Sequence, residues 1–298
     1  MERGFQQAAS VLPPELGQSA AVLTPEERGR VEELRLRVGQ PLAAVLSEGE
    51  RRLGAQKVTP RDVELLLERA SRASVHAVLE QLREGYVTIQ GGHRVGFCGT
   101  AVVERGEITF LRGLTSASIR IAREFIGIGE ELAADLFEGE RLESTLILAP
   151  PGGGKTSLLR DLIRALSSGL GVPPQRVGVV DSRGELGAVW QGVPQLELGE
   201  RTDILTACPK DKGLMMLLRA MNPQVLAVDE VTAPEDVQAM LAAAGCGVSL
   251  LATVHGADRK DLTRRKLYRE MLDTGVFRRL VTIQGRGFAR GYTVEVLK

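Results

Sequence analysis

Ala149-Pro150-Pro151-Gly152-Gly153-Gly154-Lys155-Thr156-Ser157 stands between an apolar run, Leu146 to Leu148, and an amphipathic stretch from Thr156 to Leu166. A glycine-rich turn that follows a strand and opens a helix predicts a phosphate-binding loop. Gly152, Gly153 and Gly154 let the backbone curl so that successive N–H groups face an anion, and the positive end of the helix dipole adds to them. On this reading Lys155 reaches the β and γ phosphates of ATP, and the Thr156 hydroxyl is a ligand for Mg²⁺. Pro151 and Ser157 complete the expected nucleotide contact. Ala149 departs from the pattern G-x-x-x-x-G-K-[ST] by replacing its first glycine, so Pro150-Pro151 is expected to shape the start of the loop.

A dinucleotide-binding Rossmann turn is the rival reading, because Asp181 closes the next strand where a ribose-binding acid would lie. It falters on Ser157, which occupies the third glycine position, and on the lysine directly after Gly154. Lysine there favours gripping a terminal phosphate over passing a pyrophosphate.

Further along, Val225-Leu226-Ala227-Val228-Asp229-Glu230 is a buried-strand run that ends in two acids. In an alternating α/β chain this is a Walker B arrangement: Asp229 holds the Mg²⁺ shell, and Glu230 orients and deprotonates the attacking water. Thr253-Val254-His255 ends the following strand at the carboxyl edge of the sheet, where open α/β folds bind ligands. His255 is a candidate to sense or stabilise the γ phosphate. Asp181 and Glu185 end another strand at that edge, with a supporting role or that of ordinary loop acids. Arg94, Arg120 and Arg123 are candidates for the arginine that such enzymes use against transition-state charge, frequently from a neighbouring subunit.

From Leu146 onward, strand and helix patterns alternate, which implies right-handed crossovers and a parallel sheet. The expected fold is therefore α/β: a RecA-like ATPase domain over 139–298, with Leu280–Ile283 and Tyr292–Val296 as edge strands and a charged helix near 258–273. Before it, a hairpin over 33–46, a long helix from Thr59-Pro60 to about Glu84, four short strands between Tyr86 and Phe110, and the strand Ser118–Ile121 predict a smaller α+β domain and linker over 1–138. A linking helix is expected from about Gly129 to Phe137.

The 298 residues suit two modest domains, and 43% hydrophobic with 26% charged residues is ordinary globular composition. Lys plus Arg and Asp plus Glu both number 38, so no global positive field makes nucleic acid an obligatory partner. Cys98, Cys208 and Cys246 are far apart and odd in number, which suits a reducing compartment. The N-terminus lacks a secretory h-region and no apolar run is long enough to cross a membrane. A cytoplasmic protein is expected.

The order of these segments resembles that of secretion ATPases of type II and type IV systems. More closely, Gly91-Gly92-His93-Arg94-Val95-Gly96, Ile119-Arg120-Ile121-Ala122-Arg123-Glu124, Arg201 to Lys210 and Leu214 to Arg219 resemble the stage III sporulation protein AA family over nearly the whole chain. The resemblance implies an ATPase in the mother cell of an endospore former, docked peripherally through partner proteins on a membrane channel complex. It also implies a hexameric ring with ATP between subunits, with Arg94, Arg120 and Arg123 at interdomain or intersubunit phosphate contacts and His255 in a histidine box. Val180 stands before Asp181 where secretion ATPases often carry a glutamate, which leaves Glu230 as the expected base. A motor is the leading reading. A nucleotide-gated scaffold that hydrolyses little, and a RecA-type nucleic-acid motor, stand as alternatives.

Overall fold

The computed structural model describes residues 2–71, 81–83, 85–285 and 290–297. It divides into two units, Met1–Arg123 with Ala188–Gln195, and Glu124–Gly187 with Leu196–Lys298. The chain passes between them at Arg123/Glu124, and again at Gly187/Ala188 and Gln195/Leu196, so the stretch expected as a linker up to 138 is grouped with the second unit. The reason is local: Gly127 and Gly129 N–H groups donate to the two oxygens of Asp161, at 3.2 and 2.7 Å, tying this stretch to the second unit.

In the first unit three short helices, α1 (Glu2–Ala9), α2 (Pro14–Ala20) and α3 (Pro25–Arg30), precede β1 (Glu33–Arg37), β2 (Pro41–Leu46) and β3 (Gly49–Lys57). Helix α4 (Pro60–Ala70) starts as the sequence predicts, with Thr59 as N-cap in a capping box with Asp62 and proline in the first turn. It ends at Ala70, short of Glu84; residues 72–80 and 84 of the expected long helix lie outside the described residues. Strands β4 (Tyr86–Thr88), β5 (Arg94–Glu104) and β6 (Glu107–Arg120) complete an antiparallel sheet of order β3-β2-β1-β6-β5-β4.

Of the expected short strands, Tyr86–Thr88 stands alone as β4, and the others fuse into one long β5–β6 hairpin. Gly99 does not break the strand. It sits at a register shift between Cys98 and Thr100, where a Cβ would meet the Arg112 carbonyl oxygen at 2.8 Å. The reversal is made by Arg105 and Gly106, both with positive φ, 53° and 86°, the backbone that a tight two-residue hairpin turn demands. Leu34, Leu36, Val95, Phe97 and Ile119 form one buried face of this sheet, packed on the helices through Leu16, Val63 and Leu66.

The second unit opens with α5 (Glu130–Asp135), the ribbon of β7 (Phe137–Glu138) and β8 (Arg141–Leu142), and β9 (Thr145–Ala149). There follow α6 (Lys155–Ser168), β10 (Val177–Asp181), β11 (Thr202–Thr206), α7 (Lys210–Ala220), β12 (Val225–Val228), α8 (Pro234–Gly245) and β13 (Ser249–His255). The charged helix near 258–273 is two helices, α9 (Arg259–Arg264) and α10 (Lys266–Asp273), broken at Arg265, whose ψ of 120° leaves the helical region. Strands β14 (Arg279–Gln284) and β15 (Gly291–Val296) close the fold.

The sheet order is β11-β10-β12-β13-β9-β14-β15, parallel except for β15. Strand β14 is therefore interior, paired in parallel with β9, and only β15 is an edge on that side. Alternation along the strands explains the two faces. Leu146, Leu148, Leu226 and Val228 pack on one side with α7, α8 and α10, while Ile147, Val225 and Ala227 pack on the other with α5 and α6. The carboxyl ends of β9, β12 and β13 are neighbours, and each carries a segment that the sequence singles out.

Candidate nucleotide site

The loop after β9 shows why three glycines occur in a row. Gly152 and Gly154 have φ of 73° and 92°, which side chains rarely adopt. Gly153 has no room instead: a Cβ there would lie 2.7 Å from the Ala149 methyl and 2.9 Å from the Pro150 carbonyl oxygen. Ala149 is the last residue of β9 and fully buried. Its methyl stands where the motif has glycine because position 153 carries no side chain.

Helix α6 begins at Lys155, and its buried face of Leu158, Leu159, Leu162 and Ile163 holds it against the sheet. Lys155 Nζ donates to the Ala149 and Pro150 carbonyl oxygens at 3.1 and 3.3 Å, and to His255 Nδ1 at 2.8 Å. An ammonium has only donors, so Nδ1 accepts and the imidazole proton sits on Nε2. That Nε2 lies 2.7 Å from Glu230 Oε1 and donates to it. The other Glu230 oxygen accepts from Arg183 Nη1. Lys155, His255, Glu230 and Arg183 thus form one continuous chain of hydrogen bonds at the ends of β9, β10, β12 and β13.

Burial pushes the Glu230 carboxyl up, but the His255 hydrogen bond and the charges of Arg183 and Lys155 outweigh it and hold the group below its ordinary value. Burial lowers the Lys155 ammonium, against the opposing pull of Asp229 and Glu230. The Glu230 backbone has φ of 53°, the left-handed region that costs a non-glycine residue about 1 kcal/mol or more. Two contacts hold it there: its N–H donates to Thr253 Oγ1 at 2.8 Å, and Lys210 Nζ donates to its carbonyl oxygen.

Beside this chain, Thr156 Oγ1 donates to Asp229 Oδ2 at 2.7 Å, and Thr253 Oγ1 donates to Asp229 Oδ1. A hydroxyl and a carboxylate this close, next to a glycine-rich loop, are hard oxygen donors of the kind that would suit Mg²⁺. The described residues contain no cluster of three or more His, Cys, Asp or Glu that could hold a metal by itself.

Asp181 is placed otherwise than as a Mg²⁺ or water ligand. Its oxygens accept the backbone N–H groups of Glu185, Leu186 and Gly187 at 2.8, 3.0 and 2.9 Å, and the residue is buried. It shapes the 182–187 loop, and Arg160 on α6 fastens that loop through the Glu185 and Leu186 carbonyl oxygens. Arg183 comes to Glu230 from this loop. The candidates Arg94, Arg120 and Arg123 belong to the first unit. Arg94 and Arg120 are register partners on β5 and β6, Arg94 lies over the Tyr86 ring at 4.4 Å, and Arg123 donates to the Val31 carbonyl oxygen.

The sequence profile of the family described as "Sporulation stage III, protein AA" matches residues 17–292. The chain belongs to that family. "Stage III sporulation protein AA" of Bacillus subtilis (strain 168) is 38% identical over 280 residues, which cover 94% of this chain and 91% of that one. Among solved structures, the ATPase DotB of Yersinia pseudotuberculosis is similar with a TM-score of 0.62 at 14% identity, over 95% of this chain and 78% of that chain. The pilus retraction motor PilT with bound ADP has a TM-score of 0.59 at 14% identity, over 90% and 80%. At such identity these likenesses show the fold, and the expected sheet class and two-domain order agree with it. No described helix of this sporulation protein is long and apolar enough to cross a membrane.

The sequence alone does not mark Arg183, Lys210 and Thr253 as partners of Glu230. The position of Thr253 near the end of its strand is legible; its bond to Glu230 is not. Nothing in the local pattern around Arg183 or Lys210 marks them, because their contacts with Glu230 arise only from strand order.

Proposed function

We propose that this chain is a Mg²⁺-dependent ATPase that acts as the motor of a membrane-associated channel complex in sporulation. The observation that supports it most is the hydrogen-bonded convergence of Lys155, Thr156, Asp229, Glu230 and His255 beside a loop of three glycines. In this reading the loop amides and Lys155 grip the β and γ phosphates, and Thr156 and Asp229 hold Mg²⁺, which neutralises charge on the transferring phosphoryl group. Glu230 aligns the attacking water and accepts its proton, while His255 relays between that base and Lys155. To reach this state Lys155 exchanges its own loop's carbonyl oxygens for phosphate oxygens.

The motor reading adds a ring of subunits, a hexamer by likeness to secretion ATPases, with Arg94, Arg120 or Arg123 reaching a neighbour's nucleotide. It places the protein in the mother-cell cytoplasm, attached to the membrane through its partners. The test is ATP turnover by the purified full chain against protein concentration, with sizing in the presence of ATP. Turnover per chain that climbs as oligomers form supports arginines acting across subunits; full turnover by a monomer contradicts it.

A second reading, a nucleotide-gated scaffold with little hydrolysis, draws on one observation. Both oxygens of Glu230 are already engaged, by His255 and Arg183, so the base is restrained. If ATP binding assembles the ring while Glu230→Gln leaves its behaviour unchanged, the scaffold is the better description.

A further inference from the structure

We infer that Phe125 and Arg290 seat the nucleoside end of the bound nucleotide. This rests on the nucleotide reading of the phosphate loop and adds the part of the ligand that the loop itself does not touch.

The guanidinium of Arg290 lies on the last glycine of the loop. A Cβ at Gly154 would come within 2.8 Å of its Cζ and 2.9 Å of Nη1. Its Nε is buried and has no hydrogen-bond partner among the described residues, an orphaned donor of the kind that marks a missing ligand. The same guanidinium carbon lies 5.9 Å from the centre of the Phe125 ring, and Phe125 is 38% exposed, a large apolar face left open. Phe125 is held close by its chain neighbours, since Gly127 and Gly129 are tied to Asp161 on α6, the helix that starts at the loop.

Strand order says which end of the nucleotide reaches this pair. Asp229, Glu230, Thr253 and His255 follow β12 or end β13, on one side of β9, whereas Arg290 precedes β15, beyond β14 on the other side. The phosphate that is cut must face Glu230. The remainder of the molecule therefore runs across the loop toward β14 and β15, where a flat cation and an aromatic ring stand together. That combination suits the π face of a purine, through stacking and cation–π attraction, rather than another phosphate.

The experiment is calorimetric titration of the full chain with ATP and, separately, with inorganic tripolyphosphate. Arg290→Ala and Phe125→Ala are each expected to weaken ATP about tenfold and to leave tripolyphosphate within about twofold of wild type. The intact tripolyphosphate binding also shows that the variants fold. Arg290→Lys keeps the charge but loses the planar face, so it should follow Arg290→Ala. Unchanged ATP affinity in both alanine variants overturns the inference. So does a parallel loss of ATP and tripolyphosphate in Arg290→Ala, which would make that residue a phosphate counter-charge. Lys155→Ala reports on the underlying reading: it should weaken both ligands, and if both bind it as they bind wild type, the phosphate loop assignment fails before the base seat is reached.

Discussion

His255 receives a 2.8 Å hydrogen bond from Lys155 on one ring nitrogen and gives a 2.7 Å bond to Glu230 with the other. The amine proposed to grip phosphate and the base proposed to activate water are therefore linked through a single neutral imidazole. If Lys155 moves onto a phosphate, the ring loses one of the bonds that fix it, while Arg183 and His255 still hold the two oxygens of Glu230.

Replacing that link separates binding from chemistry. His255→Ala is expected to lower turnover about tenfold or more while the ATP dissociation constant stays within about threefold, since the loop amides and Lys155 remain. Steady-state turnover beside calorimetric binding checks this. Equal losses in both would assign His255 to the binding of phosphate instead.

Arg183 is expected to set the acid side of the pH profile. Glu230 is held below its ordinary value, with Arg183 among the causes. Wild-type activity should be present above that lowered value and be lost as pH falls through it. Removing Arg183 deletes a lowering charge, so Glu230 protonates at higher pH and the acid limb of kcat/KM moves upward in Arg183→Ala. A limb that moves down or stays put disconnects the two residues.

Asp181 gives a contrasting expectation. Three backbone N–H groups depend on its carboxylate, so Asp181→Ala should destabilise the fold by about 1–3 kcal/mol. ATP affinity is expected to change little once the variant is folded. Urea denaturation with ATP titration tests both halves, and a selective loss of Mg²⁺-dependent affinity would return Asp181 to the metal site.

Buried His93 makes the first unit sensitive to acid. Its Nδ1 accepts the Ala122 N–H at 3.0 Å, and burial lowers its pKa from 6.5 to about 4. Above pH 6.5 the ring is neutral in both states and costs nothing. As pH falls below that value the unfolded chain takes up the proton first, which removes about 2 kcal/mol of stability by pH 5. Denaturant midpoints at pH 7 and pH 5 should show this loss in wild type and a smaller one in His93→Gln. An equal loss in both would place the acid sensitivity elsewhere.

Much of this arrangement is legible in the sequence because it is local. Gly152 to Thr156 and Val225 to Glu230 each carry strand, turn and chemistry within a few neighbouring residues, and Thr59-Pro60 announces its own helix. What escapes is set by pairings between distant segments. Strand β14 looks like an edge until its pairing with β9 is known, and Gly99 looks like a break until the partner strand shows a bulge. Arg183 meets Glu230 because β10 lies beside β12, and Arg290 meets Gly154 through the course of β14 and β15 near β9. Neither contact leaves a trace in spacing. Ala149 is the reverse case: a departure from the motif that becomes intelligible once the gap above Gly153 is measured.

ATP binding and turnover of Glu230→Gln, set beside wild type and Lys155→Ala under the same conditions, test the shared site most directly. Glu230→Gln is expected to bind ATP as wild type does and to lose turnover by about 10² or more, while Lys155→Ala loses the binding itself. Wild-type turnover in Glu230→Gln, or wild-type ATP affinity in Lys155→Ala, would contradict a nucleotide site built on these two residues.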